Sequence, residues 1–451
     1  MPAVLLSAAL VFALLFPAVV NGDGLGYLRA AAHGGVYAGH LGYLPLLRAL
    51  LMLLPGARPV ELLPWARALS VASGVGCLGA FGAAARRLQL RAWLAATAGL
   101  GASFAVLVSS SDVECYAPAL LMLCLALYFL VRRWELAAAL AATAAALIHV
   151  ENLLLVVPLG LAFRRRWLAA LPALLTGAAY VGAGVSPLGA SHGFHYPLGV
   201  RTPLVALYGA AKALVYSPYP YEAAWPQVIG CFAVGAAALA ALVALGVRGG
   251  APLGRAVTLA WAVPYAAVGA AFFPSDHERW IFLLPLLWLS VAAAGRTRDT
   301  FVLAGALLAV NLALWLPRAR DDSWRRRAEA ATAHLRTGDL VISPGHGWDE
   351  YVGFWSGPEV RPFPLAYYAG ALGGRAPLAA RLAEEIARAP RVVLLRCDDD
   401  GDPMGWKELR LFGLGPTDLQ SEASLAPGER VPLGDGVVYL RPSGGATPSR
   451  N

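Results

Sequence analysis

The sequence predicts a polytopic α-helical membrane protein of the all-helical class, followed by a small soluble α/β domain. Of the 451 residues, 58% are hydrophobic and 14% are charged, and the mean hydropathy is +0.59. Soluble domains are roughly 45–50% apolar and about 25% charged. Long apolar runs fill residues 1–316, whereas residues 317–451 have the composition of an ordinary soluble domain. We therefore predict one domain boundary, between 316 and 317.

Apolar segments of suitable length predict about 11 membrane-spanning helices. They lie at residues 3–20, 62–85, 92–109, 116–131, 136–149, 150–163, 168–185, 226–247, 256–273, 280–295 and 300–316. The first is interpreted as a retained span rather than a cleaved signal peptide, because it lacks a basic start. The fifth and sixth form either one long helix or a hairpin that turns at residues 149–152. Arginine clusters on both flanks belong on one side of the membrane, which favours the hairpin.

Arginine-rich connections predict the orientation in the membrane. They lie at residues 86–91, 132–135, 164–167, 248–255 and 296–299, each with at least two arginines. The positive-inside rule places these connections in the cytoplasm, so an odd number of spans puts the C-terminal domain outside. The expected location is a bacterial inner or plasma membrane. Because these clusters account for much of the net charge of +8, nucleic acid is not an expected partner.

This orientation puts most acidic groups of the membrane region on the external side. They are Asp23, Glu61, Asp112, Glu114, Glu151, Glu222, Asp276 and Glu278, while Glu135 and Asp299 are cytoplasmic. An ionisable group costs roughly 2.5–3.5 kcal/mol at the centre of a span, so repeated placement at one face indicates a shared polar cavity. Glu61 and Glu222 are interpreted as solvated loop charges instead.

The chain is organised around residues 21–45, NGDGLGYLRAAAHGGVYAGHLGYLP, directly after the first span. This stretch places Asp23, Tyr27, Arg29, His33, His40 and Tyr43 at the membrane boundary. An acid, a cation and several rings at that depth suit a substrate with a lipid tail and a polar head. Two apolar segments too short to span, 44–55 and 203–215, are predicted to lie along the interface and to form the rim of a lateral entrance.

Helices alternate with strands in the C-terminal domain, which indicates an α/β fold. Helices are predicted at 323–336, 377–389 and 406–413, and strands at 340–343, at 392–395, near Val431 and at 437–440, with a loop at 345–351. The acidic run at 398–402 lacks the full spacing of a calcium loop and is interpreted as a solvated turn. The five cysteines show no metal-like spacing.

Four motifs carry a family resemblance across residues 1–316: NGDGLGYL, GHLGYLP, SDVECY and DHERWIFLLP. Together they resemble the C-type membrane glycosyltransferases (the GT-C fold), which include protein O-mannosyltransferases, aminoarabinose transferases and oligosaccharyltransferases. The resemblance implies a cell-envelope enzyme with an external active site and a catalytic Asp in the first external loop. It also implies a polyprenyl-phosphate-linked sugar donor and, often, a soluble C-terminal domain.

Chemical roles follow from this resemblance together with the residue types. A sugar on a lipid phosphate is already activated, so transfer needs a base for the acceptor hydroxyl and a cation for the departing phosphate. Asp23 is the expected base, the alternative being a helix-end cap. Arg279 is the leading phosphate ligand because its guanidinium is forked and always charged, the alternative being an arginine that snorkels at a helix end. Further substrate-binding candidates are Arg29, His40, Tyr43, Arg201 and Lys212.

Possible metal ligands form a second group of candidates. Asp112 and Glu114, together with Asp23, offer oxygen ligands for Mg or Mn, although other members of the superfamily work without a metal. Glu114 alternatively pairs with an arginine. His149 with Glu151, and His277 with Glu278, are candidates for sugar or zinc binding, the alternative being simple hydrogen bonds.

The predicted function is therefore an inverting transfer of one sugar from a polyprenyl-phosphate donor to a lipid, glycan or protein acceptor outside the cytoplasm. One competing function is a transporter or flippase for an amphipathic glycolipid, for which inverted repeats and broken helices at mid-membrane would be typical. Another is a binding protein that has kept the fold without activity.

Overall fold

The computed structural model describes residues 1–18, 20, 22–36, 39–54, 59–186, 199–200, 202–218, 223–272, 274–343, 354, 360–365, 368, 375–395, 429–434 and 437–441. The chain divides into two compact units, Met1–Arg320 and Asp321–Asn451.

The first unit is helical. Its α-helices are α1 (Pro2–Leu14), α2 (Gly22–His33), α3 (Tyr43–Met52), α4 (Pro59–Arg87), α5 (Trp93–Ala102), α6 (Phe104–Ser111), α7 (Tyr116–Val131), α8 (Glu135–Ile148), α9 (Val156–Ala162), α10 (Leu171–Gly182), α11 (Thr202–Lys212), α12 (Trp225–Gly249), α13 (Arg255–Ala271), α14 (Leu284–Ala293) and α15 (Thr297–Ala319). Short 3-10 segments precede α9, α10 and α14, at Val150–Leu155, Arg166–Ala170 and His277–Leu283.

Within the described residues, α4, α12 and α15 are long and apolar enough to cross a membrane, and the bent pair α5–α6 makes a fourth span if its two parts are counted together. Several shorter apolar helices, including α1, α7 and α8, accompany them. Large apolar side chains on the outside of this unit are highly exposed, for example Leu14 at 76% and Val181 at 83%. Such surfaces suit lipid rather than water. The helical architecture and its long apolar helices agree with the predicted polytopic membrane protein, while the exact number of spans stays a prediction.

Two predicted segments differ from the observed helices. The stretch at 21–45, expected to be a loop, contains the helix α2, so Asp23 lies in a first helical turn. The predicted continuous span at 92–109 is bent by 63° between α5 and α6. At the break, the Asn311 amide donates 2.8 Å hydrogen bonds to the carbonyls of Ala102 and Leu214. Because Asn311 satisfies the Ala102 carbonyl, which a straight helix would pair internally, the break is stable inside the unit.

The predicted hairpin at 149–152 is present. Glu135 at the start of α8 accepts hydrogen bonds from the backbone N–H groups of Arg164 (2.7 Å) and Arg165 (3.1 Å), just after α9. The two ends of the pair therefore lie side by side. His149 sits at the turn in an extended conformation, with φ −143° and ψ 113°.

The second unit contains a five-stranded sheet. Its elements are α16 (Ser323–Thr332), β1 (Leu340–Ser343), β2 (Arg361–Pro364), α17 (Arg375–Arg388), β3 (Val392–Leu395), β4 (Glu429–Gly434) and β5 (Val437–Arg441). The strand order is β2-β1-β3-β5-β4, with β1 parallel to β2 and β3, and β5 antiparallel to β3 and β4. Leu378 and Leu382 of α17 pack with Leu340 and Phe363 in its core.

Strand β2 was not predicted from the sequence, because two of its four residues are Pro362 and Pro364. Proline cannot donate to a strand ladder and is therefore confined to sheet edges, which is where β2 lies. The predicted helix at 406–413, the loop at 345–351 and the acidic run at 398–402 lie outside the described residues.

Candidate active site

One side of the site is built where the α2–α3 connection meets the turn after α8. The Gly42 N–H donates to the Leu147 carbonyl (2.7 Å), and the Val150 N–H donates to the Gly39 carbonyl (3.3 Å). Between these bonds, His40 and His149 face each other with ring centroids 4.9 Å apart. Backbone pairing thus fixes two histidines that are far apart in the sequence.

A close backbone approach places Asp23 beside the loop after α6. A Cβ on Gly24 would lie only 2.5 Å from the carbonyl oxygen of Val113, so glycine is required there. Asp23 therefore lies near Asp112 and Glu114. Its side chain is exposed in the first turn of α2, where the helix dipole favours a carboxylate.

Carboxylates from three segments converge near Glu114. Burial raises the pKa of Glu114 well above its usual value, and the negative charges of Glu278, Asp23 and Asp112 raise it further. The pKa of Glu278 is also raised well above its usual value, first by burial and then by Asp276 and Asp23, while Arg279 opposes this shift. Asp23 and Asp276 each act on both glutamates, so these acids share one polar region.

Asp276 is the N-terminal cap of the 3-10 segment at His277–Leu283. Its Oδ1 accepts the Glu278 N–H at 3.2 Å and lies 3.3 Å from Nδ1 of His277. Burial alone would raise the pKa of Asp276, but the hydrogen bond to His277 and the positive charges of His277, Arg279 and Lys212 bring that pKa to about 2. Asp276 is therefore an ionised cap that holds its neighbours in place.

Arg279 is held inside the site. Its Nη1 donates to Oε1 of Glu151 at 2.6 Å, and Oε2 of Glu151 lies 3.9 Å from Nδ1 of His149. The Arg279 side chain is 24% exposed, and its buried Nε has no hydrogen-bond partner among the described residues. An arginine that merely snorkels would extend to the interface without such an anchor. Glu151 thus fixes the position of the guanidinium, and the Nε–H group remains available to donate a hydrogen bond to a ligand.

Aromatic rings form the wall behind these polar groups. Tyr27 packs edge-on against His40 at 5.5 Å and against Tyr43 at 5.0 Å, measured between ring centroids. On the other side, His149 contacts Tyr116 at 4.7 Å and Phe282 at 5.2 Å. Tyr43 is completely buried, so it supports this wall from behind.

Most of the predicted residues come together. The convergent set comprises Asp23, His40, Tyr43, Asp112, Glu114, His149, Glu151, His277, Glu278 and Arg279, and buried Lys212 joins it through its charge on Asp276. Arg29 is half-buried on α2, and no ion pair or ring contact within the described residues joins it to the set. Arg201 lies outside the described residues. The roles of all these residues stay predictions.

Sequence analysis did not select Cys115, Tyr116, Asp276 or Phe282 as site residues. Cys115 and Tyr116 directly follow Glu114, and Asp276 precedes His277, so their position beside selected residues was the available signal. Phe282 lies inside the motif DHERWIFLLP, but it was not singled out, because an apolar residue inside an apolar run resembles any lipid-facing residue.

The expected Mg or Mn ligands do not form a compact set. Within the described part of the chain, only two groups of at least three potential ligands have their atoms within 4.8 Å of one another: His40 with Cys115 and His149, and Asp276 with His277 and Glu278. Asp23, Asp112 and Glu114 do not meet this distance. Their arrangement does not fit a shared divalent cation, so the use of Mg or Mn stays a prediction and no chemical step is derived from it.

Solved structures show what this fold resembles. A crystal structure of ArnT from Cupriavidus metallidurans in the apo state has a TM-score of 0.59 at 12% identity, and one bound to undecaprenyl phosphate has a TM-score of 0.56 at 15% identity. Each comparison covers 97% of this chain and 97% of the ArnT chain. No family model matches the sequence, and no curated protein matches it. The chain therefore shares its fold with these ArnT structures, in agreement with the resemblance carried by the four motifs.

Proposed function

We propose that this protein is a membrane glycosyltransferase that moves a sugar from a polyprenyl-phosphate donor to an acceptor on the extracytoplasmic side. The observation that carries the proposal is that an exposed carboxylate, Asp23, and a positioned guanidinium, Arg279, both act on Glu278, in a chain that has the fold of ArnT. One of the two crystal structures of ArnT has undecaprenyl phosphate bound. A base and a phosphate ligand are the two groups that this transfer requires.

In the proposed reaction, Asp23 accepts the proton of the acceptor hydroxyl as that oxygen attacks the anomeric carbon of the donor sugar. The bond from this carbon to the phosphate oxygen breaks, and the phosphate leaves with the electron pair. Arg279 stabilises the developing charge through forked hydrogen bonds. Attack opposite the leaving phosphate inverts the anomeric carbon.

Other residues position these two groups. Glu151 orients Arg279 through the 2.6 Å ion pair. Glu278 and Asp276 sit on either side of His277 beside Arg279, where they shape the same polar region. The buried aromatic wall of Tyr27, Tyr116 and Phe282 packs behind these polar groups and supports them.

The test uses purified protein in liposomes that contain polyprenyl phosphates carrying different labelled sugars. We expect one donor to be converted to free polyprenyl phosphate with the label transferred to an acceptor. The transporter alternative gives a different result, namely movement of intact donor between leaflets without release of polyprenyl phosphate. The broken pair α5–α6 is a feature that transporters also use, so this comparison is made in the same liposomes. Binding of the donor with neither outcome would indicate a non-catalytic protein.

A further inference from the structure

The described residues contain a buried cluster of nitrogen and sulfur ligands that the proposed transfer reaction does not use. His40 lies between α2 and α3, Cys115 directly before α7 and His149 directly after α8. One ring nitrogen of each histidine and the Sγ of Cys115 all lie within 4.8 Å of one another. Three separate segments thus bring metal-ligand atoms to one point.

The spacing of these atoms suits a single ion. Ligands that surround zinc tetrahedrally, at about 2.3 Å for sulfur and about 2.0 Å for nitrogen, are roughly 3.6 Å apart. The Sγ of Cys115 lies 3.4 Å from Nδ1 of His40. Little movement would therefore be needed to bring both atoms onto one ion.

A hydrogen bond between Cys115 and His40 is the simpler explanation of that contact, but it leaves His149 unexplained. His149 is 1% exposed, and neither of its ring nitrogens has a hydrogen-bond partner among the described residues. A buried polar group without a partner costs about 1–3 kcal/mol. The rings of Tyr116 and Phe282 pack against His149 without supplying one. A ligand at this position would satisfy it.

We propose that His40, Cys115 and His149 bind one transition-metal ion of the zinc class. Two imidazoles and a thiol prefer zinc or cobalt over Mg or Mn, which take oxygen ligands. The Ile148 carbonyl lies 3.1 Å from Nδ1 of His40. Because Nδ1 is the ring atom beside the Sγ of Cys115, an ion bound there would replace this contact, and the ring proton would lie on Nε2.

The ion would hold three segments of the chain together. It joins the α2–α3 connection, the loop that carries Asp112 and Glu114, and the turn that leads to Glu151. Fixing these three segments fixes the surroundings of both Asp23 and Arg279. This role goes beyond the transfer reaction and does not depend on it.

The second ligand group, Asp276 with His277 and Glu278, is a weaker metal candidate. Its members are consecutive in the chain, and Asp276 already accepts the Glu278 N–H and pairs with His277. These contacts account for the group without an ion.

The test is a titration of the protein, purified without a histidine tag and stripped of metal, with Co2+ alone. Thiolate bound to cobalt gives a charge-transfer absorption in the near ultraviolet. We expect this band to saturate at one equivalent for the parent protein and for the control variant Cys231→Ser, which alters another buried cysteine on α12. In Cys115→Ser the band should be lost, and competition with Zn2+ should show affinity weakened by at least about 100-fold.

A second variant covers the case in which Cys115→Ser does not fold. His149→Phe keeps a ring against Tyr116 and Phe282 while removing both nitrogens, so it should fold and should bind Zn2+ at least about 100-fold more weakly. An absent thiolate band in the folded parent would overturn the proposal. So would unchanged metal affinity in either folded variant.

Discussion

The ion pair between Arg279 and Glu151, 2.6 Å from Nη1 to Oε1, joins two 3-10 segments that are 128 positions apart in the chain. Both segments begin where an apolar run is interrupted, and both lead into a following α-helix, α9 or α14. Removing one partner of this partly buried pair would leave a charge without compensation, so its loss should cost more than the loss of a surface ion pair. The pair therefore fixes the position of the Arg279 guanidinium, the proposed phosphate ligand.

Replacing Arg279 should impair use of the donor. Arg279→Ala is expected to reduce transfer from a labelled polyprenyl-phosphate sugar by about 100-fold or more. Removing one hydrogen-bond donor that stabilises a developing anion has an effect of this size in other enzymes. Arg279→Lys should restore only part of the activity, because lysine keeps the charge but not the forked geometry. Arg296→Ala is the matched control, since Arg296 forms an exposed pair with Asp299. Full activity of the Ala variant would make Arg279 a structural residue.

Replacing Glu151 tests whether it acts through Arg279. Glu151→Gln should raise the KM for the donor more than it lowers kcat, because the guanidinium loses its orientation but stays in the site. In a double-mutant cycle, Glu151→Gln combined with Arg279→Ala should be no worse than Arg279→Ala alone, with a coupling of about 0.5–3 kcal/mol. Strictly additive losses would show that Glu151 has an independent role.

Glu114 should make stability depend on pH. Because burial and neighbouring acids raise its pKa in the folded protein, the folded state holds this proton more tightly than the unfolded state. The stability from this group is fully present below the unfolded pKa, near 4.5, and is lost as the pH rises through the raised folded value. Glu114→Gln, which stays neutral, should match the parent in acid and exceed it above neutral pH. Thermal unfolding in detergent across this range measures the difference.

The opposite outcome for Glu114 would also be informative. If the parent is the more stable protein at high pH only when Mg2+ or Mn2+ is added, a cation must be compensating the acidic group. If Glu114→Gln is less stable at every pH without metal, the raised pKa is wrong.

Sequence patterns predicted much of this arrangement because several site residues interrupt apolar runs. Asp23, Glu151 and Arg279 stood out for that reason, and the bounds of α7, β1 and β3 matched their predicted segments. The bend between α5 and α6 was not predictable, since it depends on Asn311 from a distant helix. The cluster of His40, Cys115 and His149 was missed for the same reason. Its members come from three segments, so no spacing in the sequence relates them.

The predicted orientation in the membrane is tested independently of activity. Residues 345–351 should be extracytoplasmic, since the arginine-rich connections belong inside and the number of predicted spans is odd. A periplasm-active reporter fused after residue 345 should be active, and the same reporter fused within 132–135 should be inactive. The reverse result after residue 345 would remove one span and place the acidic cluster on the wrong side for the proposed donor.

The proposed chemistry depends most on Asp23. Asp23→Asn should leave the protein folded and inserted but reduce sugar transfer by at least about 100-fold, the usual scale for loss of a general base. Asn keeps the size of Asp and most of its hydrogen-bonding capacity, so a capping role at the start of α2 would survive the change. It cannot accept the proton of the acceptor hydroxyl. The control is Asp299→Asn, which makes the same chemical change in an exposed first helical turn of α15. Transfer rate, expression and donor binding are compared in one preparation, and full transfer by Asp23→Asn would exclude Asp23 as the base.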